Sequence, residues 1–156
     1  MQYSGVSAST LLVDERDPRS AAALSINDPY VLVIDDDEDI VNVIMLLLEI
    51  EAYFGIGLSD SLKVLDLLEQ LDVDHLPSVI LLDLMMPGLS GYDIAMILSQ
   101  NERLQHIPII IMTADSRVQG ASSIQGAIDY IAKPFNLEPL LVKLRFYLDP
   151  HPLTEL

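Results

Sequence analysis

The sequence predicts an α/β protein: a doubly wound, five-stranded parallel sheet with helices on both faces. Three observations lead there. Short apolar runs recur along the chain as "YVLVI", "AYFGIGL", "SVILL", "IPIIIM" and "AIDYIA". They are β-branched and near-continuous rather than alternating, as strands buried on both faces should be. Helical patterns separate them, and for the order βαβαβαβαβα a parallel sheet wound on both sides is the economical solution.

Residues 1–28 are rich in Ser, Ala and Asp, contain Pro18 and show no sustained period. They read as a mobile arm with a short helix around 21–24. The first strand is expected over 30–34 and the first helix over 39–50. A second strand over 52–58 leads to a helix over 62–71, with Ser59 and Asp60 as cap candidates. A strand over 78–82 precedes a helix over 91–100, and a strand over 107–112 precedes a helical stretch over 116–125. The last strand, 127–132, leads to a helix over 137–148 behind an Asn136 cap. The expected division is an arm (1–28), one domain (29–149) and a short tail (150–156).

At 156 residues the chain suits a single domain with a buried core. A hydrophobic fraction of 51% and a mean hydropathy of +0.37 oppose disorder over most of its length. The net charge of −16 and pI near 4.1 would repel nucleic acid and anionic membranes, and they favour divalent cations and basic partner surfaces. With no cysteine, disulfides, thiol catalysis and thiolate metal sites are excluded. No apolar run reaches the roughly 18 residues of a membrane span, and the N-terminus lacks the basic start and apolar stretch of a signal peptide. A cytoplasmic protein is therefore expected. His75, His106 and His151 are scattered without metal-ligand spacing. There is no Gly-rich phosphate loop and no Ser/His/Asp arrangement.

In such sheets ligands bind beyond the carboxyl ends of the strands, where strand order reverses. Those ends carry Asp35 and Asp36, Asp83, Thr113 and Lys133. Each has an ordinary reading as a cap or an ion-pair partner. In "VIDDDEDI" the later acids Asp37, Glu38 and Asp39 suit a helix start. Asp35 and Asp36 suit it less, since they end a buried strand. An EF-hand fails, with Ile40 where Gly is needed and Leu46 where the closing Glu belongs. Clustered carboxylates need a cation to stay ionised, and hard oxygen ligands point to Mg²⁺. A metal, a carboxylate, an ammonium and a hydroxyl form a set for phosphoryl transfer, in which a carboxylate can itself be the nucleophile. On this reading Asp83 carries the phosphoryl group, Asp36 holds the metal, Lys133 neutralises the equatorial oxygens and Thr113 hydrogen-bonds them.

The blocks "VLVIDDDEDI", "VILLDLMMPGLSGYDIA", "PIIIMTAD" and "GAIDYIAKPF" resemble, in order, those of the receiver domain of two-component response regulators, over roughly residues 30–148. The resemblance implies a flavodoxin-like fold with strand order 2-1-3-4-5. It implies that Asp83 accepts phosphate from the phosphohistidine of a histidine kinase or phosphotransfer protein. Asp35 and Asp36 would surround Mg²⁺ together with Asp83 and the Met85 backbone carbonyl. It further implies a cis bond between Lys133 and Pro134, a switch made of Thr113 and Tyr130, and control of phosphoryl lifetime by Met85 and Asp115. Pro87 and Gly88 shape the loop after Asp83, Gly91 allows a tight helix start, and the small Ala114 leaves room beside the phosphoryl group.

Two stretches depart from the family pattern. From Thr113 to Lys133 the chain is about two residues short, and "ADSRVQGASSIQG" is a poor helix former. Dimerisation through that region is therefore open, and a homodimer stays a possibility. In the first helix Ile40, Ile44 and Leu47 are spaced to face the sheet, while Val41, Met45 and Leu48 form a second apolar stripe. That stripe reads either as a broader buried face or as a docking patch for kinase and phosphotransfer domains. After the last helix only "DPHPLTEL" remains, so a stand-alone receiver or relay shuttle is expected, with output through a downstream protein and no direct contact to nucleic acid. The alternatives are a phosphorylation-independent pseudo-receiver and a Mg²⁺-dependent phosphohydrolase of the haloacid-dehalogenase type. The latter would need its nucleophile at the end of the first strand.

Overall fold

The computed structural model describes residues 28–115, 117–118 and 124–149. The expected arm, the tail and most of the expected helix over 116–125 lie outside the described residues. Strands β1 (Tyr30–Ile34), β2 (Phe54–Leu58), β3 (Val79–Asp83), β4 (Ile109–Thr113) and β5 (Ala127–Ala132) alternate with helices α1 (Glu38–Ile50), α2 (Leu62–Gln70), α3 (Gly91–Ser99) and α4 (Leu137–Leu148). All strand pairs are parallel, in the order β2-β1-β3-β4-β5. The order reverses between β1 and β3, which places the crevice at the ends of those two strands.

β1, β3 and β4 are buried at every position, as their unbroken apolar runs require. Their alternate side chains feed two cores. Leu32, Ile34, Ile80, Leu82, Ile109 and Ile111 pack with residues of α2 and α3 on one face. Val31, Val33, Val79, Leu81, Ile110 and Met112 pack with residues of α1 and α4 on the other.

β2 starts two residues later than its apolar run suggests. Ala52, at φ 60°, closes α1 instead, with its N–H on Glu49 O and the Tyr53 N–H on Leu48 O. β4 starts after Pro108, which has no N–H to give a ladder.

α1 decides between the two readings of its second stripe in favour of the broader buried face. Val41 and Leu48 are buried at 7% and 1% exposure beside Ile44, while Ile40 and Leu47 are only half-buried. The cause lies in β2. A Cβ on Gly57 would stand 2.4 Å from Val41 Cγ1, and one on Gly55 would stand 2.6 Å from Leu48 Cδ1 and 3.1 Å from the Met45 sulfur. The bare glycine backbone lets α1 press that side onto the strand. Val41 and Leu48 are thus core, and the half-buried Met45 packs against them, so this side of α1 is turned to the sheet and away from a partner.

Candidate functional site

β1 delivers Asp35 into the crevice with no exposed surface. One carboxylate oxygen accepts the Asp37 N–H at 2.9 Å, and the other faces Lys133 Nζ at 2.5 Å. A buried carboxylate is tolerated only with such partners. Asp36 is exposed. Asp37 is the N-cap of α1, accepting from the Asp39 and Ile40 N–H groups, with Glu38 and Asp39 in the first turn beside the positive helix end. The acidic run therefore divides as its chemistry suggests, with the first two acids in the crevice and the next three starting the helix.

β3 ends on Asp83, 4% exposed and 3.5 Å from Lys133 Nζ. Asp35, Asp36 and Asp83 each present a carboxylate oxygen within 4.8 Å of the others. Burial pushes the Asp83 carboxyl up to about 6, with the Asp35 charge adding to the rise. Lys133 and the Met85 N–H oppose it. Three hard oxygens this close, with one lysine for three carboxylates, suit an oxygen-preferring divalent cation.

Thr113, 2% exposed, ends β4 beside Met112, the register partner of Asp83. Its hydroxyl accepts the Asp115 N–H at 3.0 Å, and its carbonyl accepts the Lys133 N–H at 2.8 Å. Asp115 in turn binds Arg117, which approaches both carboxylate oxygens through Nε and a terminal nitrogen at 2.7–3.2 Å and donates its own N–H at 2.9 Å. Arg117 holds the Asp115 carboxyl down at about 2. Tyr130 pairs in register with Ile111, as Ala132 does with Thr113, so Tyr130 and Thr113 share a sheet face. Half-buried, Tyr130 packs on the core of that face. Ala114 is exposed, and the Lys133–Pro134 bond is cis.

The loop after Asp83 is held from several sides. Met85 and Pro87 are exposed, and Gly88 takes φ 79°, a conformation that suits glycine. Gly91 is fixed by space: a Cβ there would stand 2.1 Å from Asp83 O and 2.7 Å from Leu84 Cα, and its N–H donates to Leu84 O. Ser90 and Asp93 form a reciprocal capping box at the start of α3.

Sequence reasoning missed two features. Ser61 is buried and bonds across the chain to the loop after Asp83. It stands beside the two cap candidates Ser59 and Asp60 in "SDS", and nothing local in the sequence sets it apart. The second is an apolar stripe of Val43, Leu46 and Ile50, 48–71% exposed, on the outward side of α1. Near it Ile40, Val43, Phe135 and Leu137 line a cavity of about 590 Å³ that reaches Lys133. The helical period contained that stripe, but only the position of β2 shows which side faces out.

Among the described residues no helix is long and apolar enough to cross a membrane. The family model for the response regulator receiver domain matches residues 31–145. The DNA-binding dual master transcriptional regulator RpaA of Synechocystis sp. is 36% identical over 124 residues, covering 77% of this chain and 49% of that protein. The phosphate regulon transcriptional regulatory protein PhoB of Pseudomonas aeruginosa is 35% identical over 122 residues, covering 76% and 51%. The chain thus spans about half the length of these relatives. Among solved structures, the response regulator TrrA of Thermotoga maritima, in complex with Mg(2+)-BeF, aligns with a TM-score of 0.66 and 26% identity, covering 77% of this chain and 99% of that one. With the site geometry, the 2-1-3-4-5 sheet and the family match in agreement, the chain belongs to the response regulator receiver domain family.

Proposed function

We propose that Asp83 is the phosphoacceptor, charged by a histidine kinase or phosphotransfer protein in a Mg²⁺-dependent reaction. The observation that carries this is the buried Asp83 carboxylate at the end of β3, within 4.8 Å of two further carboxylates and 3.5 Å from Lys133. An Asp83 oxygen attacks the phosphorus of the phosphohistidine. The P–N bond breaks, its electron pair stays on the ring nitrogen, and an acyl phosphate forms on Asp83. Asp35, Asp36, Asp83 and the Met85 carbonyl would hold Mg²⁺, which offsets negative charge on the phosphoryl oxygens when bound. Lys133 sits between Asp35 and Asp83, placed to meet the same charge. The Thr113 hydroxyl leaves the Asp115 N–H to bond a phosphoryl oxygen, and Tyr130 follows on the same face. TrrA, with Mg(2+)-BeF in its structure, supports this reading by likeness.

Asp35 as a phosphohydrolase nucleophile is disfavoured, because it has no exposed surface and is paired to Lys133. The exposed Val43, Leu46 and Ile50 stripe is the better candidate for contact with the donor protein. Leu46→Asp should then slow transfer from that donor about tenfold and leave labelling by a small phosphodonor unchanged. Equal slowing of both would remove the docking role. The RpaA and PhoB names speak of DNA-binding and transcriptional regulation, and this chain spans about half of each. For this chain, with its charge of −16, we place the output in contacts with other proteins in the cytoplasm.

The test is intact mass after incubation with a small phosphodonor. A phosphoryl adduct that requires Mg²⁺ and is absent in Asp83→Asn is expected. No adduct, with donor and metal active on a control protein, would mean a receiver that signals by binding alone.

A further inference from the structure

Ser61 stands at the N-cap position of α2, where a serine ordinarily accepts a helix N–H. It makes no such bond; Asp60 Oδ1 takes the Leu62 N–H at 3.0 Å instead. The Ser61 side chain turns away from its own helix. Its hydroxyl donates to Pro87 O at 3.0 Å and accepts the Leu89 N–H at 3.2 Å. Both partners belong to the loop after Asp83 and flank Gly88, and a Cβ on Gly88 would lie 3.5 Å from Ser61 Oγ. Ser61 is only 3% exposed, so water cannot readily replace either bond. Together with Asp35, Asp83 and Thr113 it makes up the buried polar and charged side chains among the described residues. Three of those are site residues, and the fourth grips the loop that follows one of them, Asp83.

We infer that Ser61 is a positioning residue for the metal site. By tying residues 87–89 to the β2–α2 turn, it fixes the path of the loop from Asp83 through Met85. The inference rests on the Mg²⁺ reading above. Its physical basis is that groups holding a metal ligand in place count nearly as much as the ligand, with losses of about 10–100-fold in affinity on their removal. Ser61 touches neither metal nor phosphoryl group, so it acts through the backbone it holds. It also couples α2 to the site, which gives a contact on that helix a route to the metal loop.

The test compares Ser61→Ala with wild type by calorimetric Mg²⁺ titration and by amide hydrogen exchange of residues 84–90 in metal-free protein. Ser61→Thr, which keeps the hydroxyl, is the rescue variant. Leu148→Ala, in the opposite core, is the control for lost stability alone. The expected result for Ser61→Ala is a Mg²⁺ Kd raised about tenfold and faster exchange at Leu89, with Thr recovering much of both. Leu148→Ala should lower the Tm and leave Mg²⁺ affinity near wild type. Wild-type affinity and exchange in Ser61→Ala would overturn the role of Ser61. An equal loss of affinity in Leu148→Ala would do the same, by reducing the effect to stability. Failure of the wild type itself to bind Mg²⁺ would overturn the metal reading.

Discussion

The two loops that flank Asp83 are built in opposite ways. The loop after β3 is secured from outside itself: Ser61 reaches it from 26 to 28 residues away, and Gly91 packs its backbone against Asp83 and Leu84. The described start of the loop after β4 is tied locally. Thr113, Asp115 and Arg117 bond to one another over two residues at a time, and Arg117 is mostly exposed. Cross-chain buried bonds cost more to open than local exposed ones. The first loop is suited to hold ligands in place. The second is suited to rearrange, as the switch proposed for Thr113 requires.

The severest way to break the contrast is Gly91→Ala. Its Cβ would meet backbone at 2.1 and 2.7 Å, so the loop after β3 must shift. A loss of about 3 kcal/mol in unfolding free energy is expected, and phosphorylation should fall with it. Near-native stability and labelling in a denaturant and mass assay would show that this loop tolerates movement.

The next effect comes from pH. Asp83 is held at about 6, above the 3.8 of an unperturbed carboxyl, chiefly by burial. The folded protein therefore binds this proton more tightly than the unfolded chain. Its contribution to stability is present at low pH and is lost as pH rises from about 4 through 6. For metal-free protein that contribution is about 2–3 kcal/mol, and Asp83→Asn should abolish it. Mg²⁺ should also flatten the dependence by favouring the charged carboxylate. A metal-free stability curve identical in wild type and Asp83→Asn would contradict the assignment.

The smallest effect should come from the second loop. Arg117→Ala releases Asp115 and loosens the turn that holds the Thr113 hydroxyl. Acyl-phosphate lifetime should change by about twofold to fivefold with the Tm unmoved. Asp115→Asn should change the lifetime as well, if that carboxylate acts on the attacking water. Lifetimes unaltered in both variants would leave this segment without a part in controlling the phosphoryl group.

Much of this was legible in the sequence, for a physical reason. Buried parallel strands are written as unbroken β-branched runs, so β1 and β5 fall where expected and the others within two residues. Asp35, Asp36, Asp83 and Lys133 converge because chemistry in a parallel sheet collects at the strand ends. The sequence leaves the second stripe of α1 between a buried face and a docking patch, because the outcome depends on what Gly55 and Gly57 allow β2 to accept. Periodicity within one helix does not contain that information. Ser61 was missed for a similar reason: its partners at Pro87 and Leu89 are far away in the chain. The expected helix over 116–125 lies largely outside the described residues, and Arg117, Val118, Ile124 and Gln125 are not helical.

The most direct measurement is a residue-level comparison of the two loops by amide NMR, with and without Mg²⁺ and beryllofluoride as the phosphoryl mimic. Asp83→Asn serves as the control. Large shifts are predicted for Thr113 to Arg117 and for Tyr130. The amides of residues 87–90 should change little once Mg²⁺ is present, and the Asp83→Asn spectrum should not respond to the mimic. Shifts concentrated in 87–90 with a silent Thr113, or an equal response in Asp83→Asn, would contradict both the fixed-and-mobile division and Asp83 as acceptor.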